Sequence, residues 1–180
     1  MAEDKNLVIN KRAFDISFYE IELKFNNTKV IEYLKNHQMI KEEMLTTYYE
    51  YKNVLEEKEL EDFKNHIYNH VNLFVKNVLK KEKVILKESW FQAYETNSYH
   101  PIHVHGVQQK DWSLIYYVQA SPTSAKTIMH IPGYPYVPEI KKQIVPKKDL
   151  LVMFPSYFPH QVELNQDSER IILSANLEVF

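Results

Sequence analysis

The feature that most limits what this chain can become is a change of texture at about Lys83. Beyond it, short runs rich in Val, Ile, Tyr and Trp alternate with Pro, Ser, Asn and Lys, as in an all-β barrel or sandwich. Before it, the apolar spacing is helical. Leu60, Phe63, Ile67, Val71, Phe74, Val75 and Val78 recur three and four apart, predicting a long helix over about residues 55–80 with one buried stripe. A shorter helix is expected at 28–37, after a strand within 14–25 marked by Ile16, Phe18, Ile21 and Leu23. Seven strands are expected afterwards, near 84–94, 102–105, 112–119, 127–131, 150–154, 161–164 and 170–179. Helices first and antiparallel strands afterwards make an α+β chain in which N-terminal helices cover one side of a C-terminal barrel.

The chain is long enough for one domain with a full core and short for two, so 1–180 is read as a single unit. Within it, 1–82 is a helical and strand support region and 83–180 the barrel core. A formal net charge of −2 argues against nucleic acid as a bulk electrostatic partner, because phosphate binding needs a basic excess. Neither a secretory leader nor a membrane span is readable at the N-terminus, so a cytoplasmic protein is expected. Cysteine is absent, which excludes disulfides, thiolate zinc sites and cysteine nucleophiles and leaves His and carboxylates to hold any metal. With only Gly106 and Gly133, a Gly-rich phosphate loop cannot be built.

Eight histidines are unevenly placed. His66 and His70 are four apart on the long helix, but Ile67 stands where a zinc-peptidase helix needs Glu, so an ordinary helix face is the simpler reading. His100, His103 and His105 fall within six residues, in Tyr99-His100-Pro101-Ile102-His103-Val104-His105. On an extended strand His103 and His105 share a face, which is half a metal site. A third ligand has to come from another strand. His160 qualifies, across the turn that follows the apolar run 150–154. Imidazole suits Fe, Zn, Cu and Ni, so spacing leaves the metal open.

Arginine is scarce, only Arg12 and Arg170 against twenty lysines. Arg170 opens the apolar stretch Arg170-Ile171-Ile172-Leu173, where an unpaired charge is costly and a partner anion is expected. The guanidinium fork suits a carboxylate ligand. A strand-edge pair with Asp167 or Glu169 is the competing reading.

Together these residues resemble the jelly-roll 2-oxoglutarate/Fe(II) oxygenases, whose signature is His-x-Asp/Glu, a distant His, and Arg or Lys about ten residues later. Here the pattern reads His103-Val104-His105, His160, Arg170. The resemblance is strongest to a group of such oxygenases, many from phages and marine bacteria, that carry Pro-x-His-x-His. This chain shows Pro101-Ile102-His103-Val104-His105, then Phe154-Pro155-Ser156, His160-Gln161-Val162, Arg170 and Ser174-Ala175-Asn176. The likeness spans roughly 89–180. It implies a double-stranded β-helix, Fe(II) held by His103, His105 and His160, and 2-oxoglutarate bound by Arg170 and Tyr117, with Tyr94 and Ser174 also on the cofactor side. His105 stands where the wider family has a carboxylate, so either three imidazoles ligate or His105 stands behind a water.

The implied reaction couples decarboxylation of 2-oxoglutarate to hydroxylation of a C–H bond in a small-molecule or peptide substrate that the sequence does not name. Tyr134, Tyr136 and His130 are assigned to the substrate side from loop position. Three rivals stay open: a cupin-type dioxygenase or isomerase with three His ligands and no 2-oxoglutarate, a noncatalytic jelly-roll binding module, and a zinc hydrolase using Glu95 or Asp111 as base. The long helix packs on its own barrel or on that of a second copy in a homodimer.

Overall fold

The computed structural model describes residues 16–37, 40–41, 45–46, 53–131, 141–167 and 170–180. The first part runs β1 (Tyr19–Glu22), α1 (Thr28–Asn36), β2 (Ile40–Lys41), β3 (Leu45–Thr46) and α2 (Glu61–Asn77). The second is all strand: β4 (Val84–Tyr94), β5 (His100–His103), β6 (Asp111–Gln119), β7 (Thr127–His130), β8 (Lys141–Ile144), β9 (Leu150–Pro155), β10 (His160–Val162) and β11 (Arg170–Val179). They form a larger sheet in the order β1, β9, β6, β11, β4, β3, β2 and a smaller one in the order β5, β10, β7, β8. Every strand pair is antiparallel. This is the double-stranded β-helix that the resemblance implies, where the residue pattern alone gives an all-β barrel or sandwich.

Period-two alternation decides what each side of the larger sheet does. Phe91, Leu114, Tyr116, Val118, Leu151, Met153 and Leu173 face one way and bury against Phe63, Ile67, Val71 and Phe74 of α2. Tyr94, Ile115, Tyr117, Val152, Phe154 and Ile172 face the other way and meet Met129, Ile144 and Val162 from the smaller sheet. Each fully buried Phe or Leu on these faces stabilises the fold by about 1.5–3 kcal/mol. The helices therefore back the sheet, and the site lies in the gap between the sheets. A buried polar link ties α1 to the same sheet: Asn27 donates from Nδ2 to the Val118 carbonyl (2.9 Å) and to Asp149 (2.8 Å), and the Tyr116 hydroxyl donates to Asp149 (2.8 Å).

Several elements differ from expectation. The long helix starts at Glu61, preceded by two 3₁₀ turns, Val54–Glu56 and Lys58–Leu60, because Glu57 between them is extended (φ −67°, ψ 133°). Leu55 and Leu60 are buried all the same, so the apolar spacing is met without a continuous helix. Strand β5 ends at His103 instead of His105, and β10 begins at His160. Strand β8 carries the sequence Lys141-Lys142-Gln143-Ile144, three residues of it exposed, and has no apolar alternation to announce it. Tyr134 and Tyr136 lie outside the described residues. Among the described residues no helix is long and apolar enough to cross a membrane.

Candidate metal centre

Strand pairing brings the histidines together. His160 on β10 is the direct antiparallel partner of His103 on β5, and their rings stand 4.2 Å apart. His105 joins for a different reason than strand alternation, since it lies past the end of β5. Its N–H donates to the Ser156 carbonyl at 3.0 Å, and Ser156 in turn donates its own N–H to the Asp111 carbonyl at 2.9 Å. Asp111 also accepts from the Gln108 N–H through Oδ2 (3.0 Å). A Cβ on Gly106 would sit 2.6 Å from that oxygen, so this tight turn requires a glycine after His105. The His105 ring ends 4.8 Å from that of His103 and 5.1 Å from that of His160.

One ligand nitrogen from each ring lies within 4.8 Å of the others, and no carboxylate shares the group among the described residues. Two of the tautomers follow from hydrogen bonding. His103 Nδ1 sits 2.8 Å from the Pro101 carbonyl and His160 Nδ1 2.9 Å from the Phe158 carbonyl; a carbonyl only accepts, so each Nδ1 carries the proton and leaves Nε2 a lone pair. Burial keeps the imidazoles neutral, as metal ligation requires. It pushes His105 down to about 4, with His103 adding to the effect, and holds His160 well below its ordinary value. His103 is also lowered by burial.

Flanking rings hold the cluster. His100 stacks on His103 at 4.0 Å, Phe154 meets His160 edge-on at 4.8 Å, and Trp90 lies 5.7 Å from His105. Burial, and next the neighbouring His103 and His105, push His100 down to about 3.

Arg170 lies further in, with no solvent exposure. Nε donates to the Ala125 carbonyl (3.0 Å) and Nη2 to Thr127 Oγ1 (2.9 Å), which is also hydrogen-bonded to the Tyr117 hydroxyl (2.9 Å). The guanidinium is 4.1 Å from the Tyr94 ring centre and 5.4 Å from that of Tyr117. Its Nη1 is buried with no hydrogen-bond acceptor. The hydrogen bonds of Asp167 go elsewhere, to the hydroxyls of Ser121, Thr123 and Ser124. Tyr94 faces the guanidinium with its ring while its hydroxyl donates to Gln92 (3.2 Å). Burial raises the Tyr94 phenol against the opposing pull of Arg170. Ser174 is four residues along β11, about 13 Å from Arg170 at the usual strand rise, opposite Trp90 and Ile115.

A narrow cavity lined by Trp90, Gln92, Tyr94, the histidines, Ile172 and Ser174 opens beside the cluster, and it reaches the Arg170 group only through Tyr94, whose ring covers the guanidinium. It holds about 20 Å³, room for roughly one water. A dicarboxylate enters only as the flanking side chains part. The donor set fits the pair of groups that the resemblance implies: neutral imidazoles for a borderline divalent metal, and an orphaned guanidinium N–H for a carboxylate. His130 is buried on β7 and does not line this cavity. Sequence reasoning missed Thr127, which ties Arg170 to Tyr117 and carries no local signal beyond being a small polar residue. Ser156 falls within the Phe154-Pro155-Ser156 motif, which assigns it no role, and its carbonyl positions His105.

The fold is similar to that of several solved 2-oxoglutarate-dependent enzymes. A viral collagen prolyl hydroxylase from Paramecium bursaria Chlorella virus-1 is 14% identical, with a TM-score of 0.63 over 99% of this chain and 100% of that one. HygX from Streptomyces hygroscopicus, solved with nickel and 2-oxoglutarate bound, is 10% identical with a TM-score of 0.65, over 91% of this chain and 83% of that one. A Pseudomonas putida prolyl-4-hydroxylase is 14% identical with a TM-score of 0.64, over 91% and 92%. No family model and no curated protein matches the sequence. The fold is thus that of the 2-oxoglutarate/Fe(II) oxygenases, and at these identities the likeness establishes architecture alone.

Proposed function

We propose that this chain is an Fe(II)- and 2-oxoglutarate-dependent dioxygenase that hydroxylates its substrate. One observation carries the reading: three neutral imidazoles cluster in the gap between the sheets, and deeper in the same barrel a fully buried Arg170 keeps one N–H without an acceptor. A buried unpaired donor on a charged group is costly, and a carboxylate ligand removes that cost. With the ion and cosubstrate bound, the group supplies oxidative decarboxylation of 2-oxoglutarate coupled to oxygen insertion at a C–H bond.

The chain's own share is binding and positioning. His103, His105 and His160 are assigned to the ion, the first and last with their Nδ1 protons fixed by carbonyls. Arg170 takes the far carboxylate through Nη1. Thr127 and Tyr117 hold the guanidinium from one side and the Tyr94 ring covers its face, so the guanidinium itself is already oriented, and the movement needed to admit the anion falls on the side chains around it. Phe154, Trp90 and His100 crowd the histidines and keep bulk water away from the reacting centre.

Anaerobic titration with Fe(II) and then 2-oxoglutarate tests this through the weak visible charge-transfer band of the chelate. The band is expected in the wild type, absent in His160→Ala and weakened in Arg170→Ala. Tight iron binding with no band favours a cupin-type enzyme that needs no 2-oxoglutarate. Failure to bind metal at all sinks both.

A further inference from the structure

Bonded to Asn176, a residue that lines the histidine cavity, is a carboxylate that the proposed chemistry does not use. Glu88 lies on the barrel face of β4, one same-face step beyond Trp90 and directly opposite Asn176 of β11. Asn176 donates from Nδ2 to Glu88 Oε2 at 3.2 Å, and among the described residues this is the only hydrogen bond that Glu88 receives. No ion pair satisfies it. The nearby lysines are taken by Glu178, which holds Lys110 at 3.0 Å and Lys87 at 3.7 Å. A half-buried carboxylate with a single amide donor is under-supplied, because burial removes water without replacing it.

Its surroundings are built and connected to the histidines. Asn176 and Ser113 both line the histidine cavity. Ser113 hydrogen-bonds the Ser156 hydroxyl at 2.8 Å, and the carbonyl of that same Ser156 receives the His105 N–H. All but Ser156 sit within strands of the larger sheet, and Ser156 directly follows β9, so Glu88 is held in place relative to the cluster. A same-face step along a strand is about 7 Å. A group bound at Glu88 therefore stands a short alkyl chain beyond Trp90, whose ring adjoins His105.

We propose that Glu88 anchors a positively charged nitrogen of the substrate, so that this site acts on an amine- or guanidine-bearing compound. This rests on the dioxygenase reading for the reaction but on Glu88, Asn176 and Trp90 alone for the binding. Charge is then sorted along the β4–β11 ladder, with Arg170 opposite Tyr94 drawing the dianionic cosubstrate to one end and Glu88 opposite Asn176 holding a cation at the other. Trp90 adds an aromatic surface suited to the alkyl stem.

The test uses two probes of one shape, n-pentylamine and 1-pentanol, with dissociation constants measured by ligand-observed NMR at pH 7.5 on metal-free protein. Pentylamine is expected to bind at least tenfold more tightly than pentanol. Glu88→Gln should remove that advantage and Glu88→Asp keep part of it, with near-UV circular dichroism showing that both variants are folded. Equal binding of amine and alcohol overturns the proposal, as does an amine advantage that survives in Glu88→Gln. An amine advantage in a protein whose wild type forms no iron–2-oxoglutarate band leaves Glu88's role standing and removes the dioxygenase reading. A band without amine preference does the reverse.

Discussion

The two faces of the larger sheet are made from alternate residues of the same strands, yet they are different materials. On β6, Leu114, Tyr116 and Val118 point at α2 into an almost wholly apolar layer, while Ser113, Ile115 and Tyr117 point into the barrel. On β4 the helix side presents Phe91 and the barrel side Trp90, Gln92 and Tyr94. One face is mostly apolar, its few buried polar groups such as Asn27 and Ser89 are hydrogen-bonded, and it supplies cohesion; the other buries Arg170, Gln92 and His160 and tolerates an orphaned donor. Two adjacent residues can thus be tuned separately, because the pleat gives them no common neighbours across the sheet.

The sharpest way to break this division is to cut the helix side. Phe91→Ala opens a cavity beneath Phe63 and should cost about 3–5 kcal/mol of unfolding free energy. Iron affinity of the remaining folded protein should change little. A collapse of iron binding in the folded fraction would show that the faces are coupled. The converse substitution is Arg170→Met. It should weaken 2-oxoglutarate binding by about 1.5–3 kcal/mol while leaving the cosubstrate-free protein as stable as wild type or more so, since a buried charge with an unmet donor is removed. Calorimetric titration and urea unfolding read the two halves.

A smaller effect is expected from Tyr117→Phe, which deletes the hydrogen bond to Thr127 that steadies the guanidinium. About 1 kcal/mol of 2-oxoglutarate affinity should go, with no change in iron affinity. The pH dependence is subtler still. His105 titrates near 4 in the fold and near 6.5 when unfolded, so between those values the unfolded chain binds the extra proton. Metal-free protein should therefore lose stability as pH falls from about 6.5 toward 4, and His105→Phe should flatten that slope. A profile identical to wild type would mean that His105 is not the buried neutral group described.

Legibility followed the range of the interactions involved. The alternation in β4, β6 and β11 and the apolar stripe of α2 were readable because neighbours a few residues apart report directly on a shared face. The break at Glu57 and strand β8 were not, since the 3₁₀ turns around Glu57 leave the apolar spacing undisturbed and β8 is defined by its pairing with β7. The pairing of His103 with His105 was anticipated through strand alternation. The structure reaches the same juxtaposition by another route, a carbonyl of the β9–β10 turn holding His105 beyond the strand's end.

The sequence by itself determined the helix-then-strand order, the absence of thiolate and phosphate-loop chemistry, and the short set of residues able to hold a metal. These are properties of composition and spacing. Only the tertiary structure decided that His160 stands opposite His103, that Arg170 bonds a carbonyl and a threonine in place of Asp167, and that Glu88 is left with a single amide donor. Those outcomes depend on which strands become neighbours. Antiparallel register across the 56 residues between His103 and His160 is set by the burial of whole faces, which no window of sequence contains.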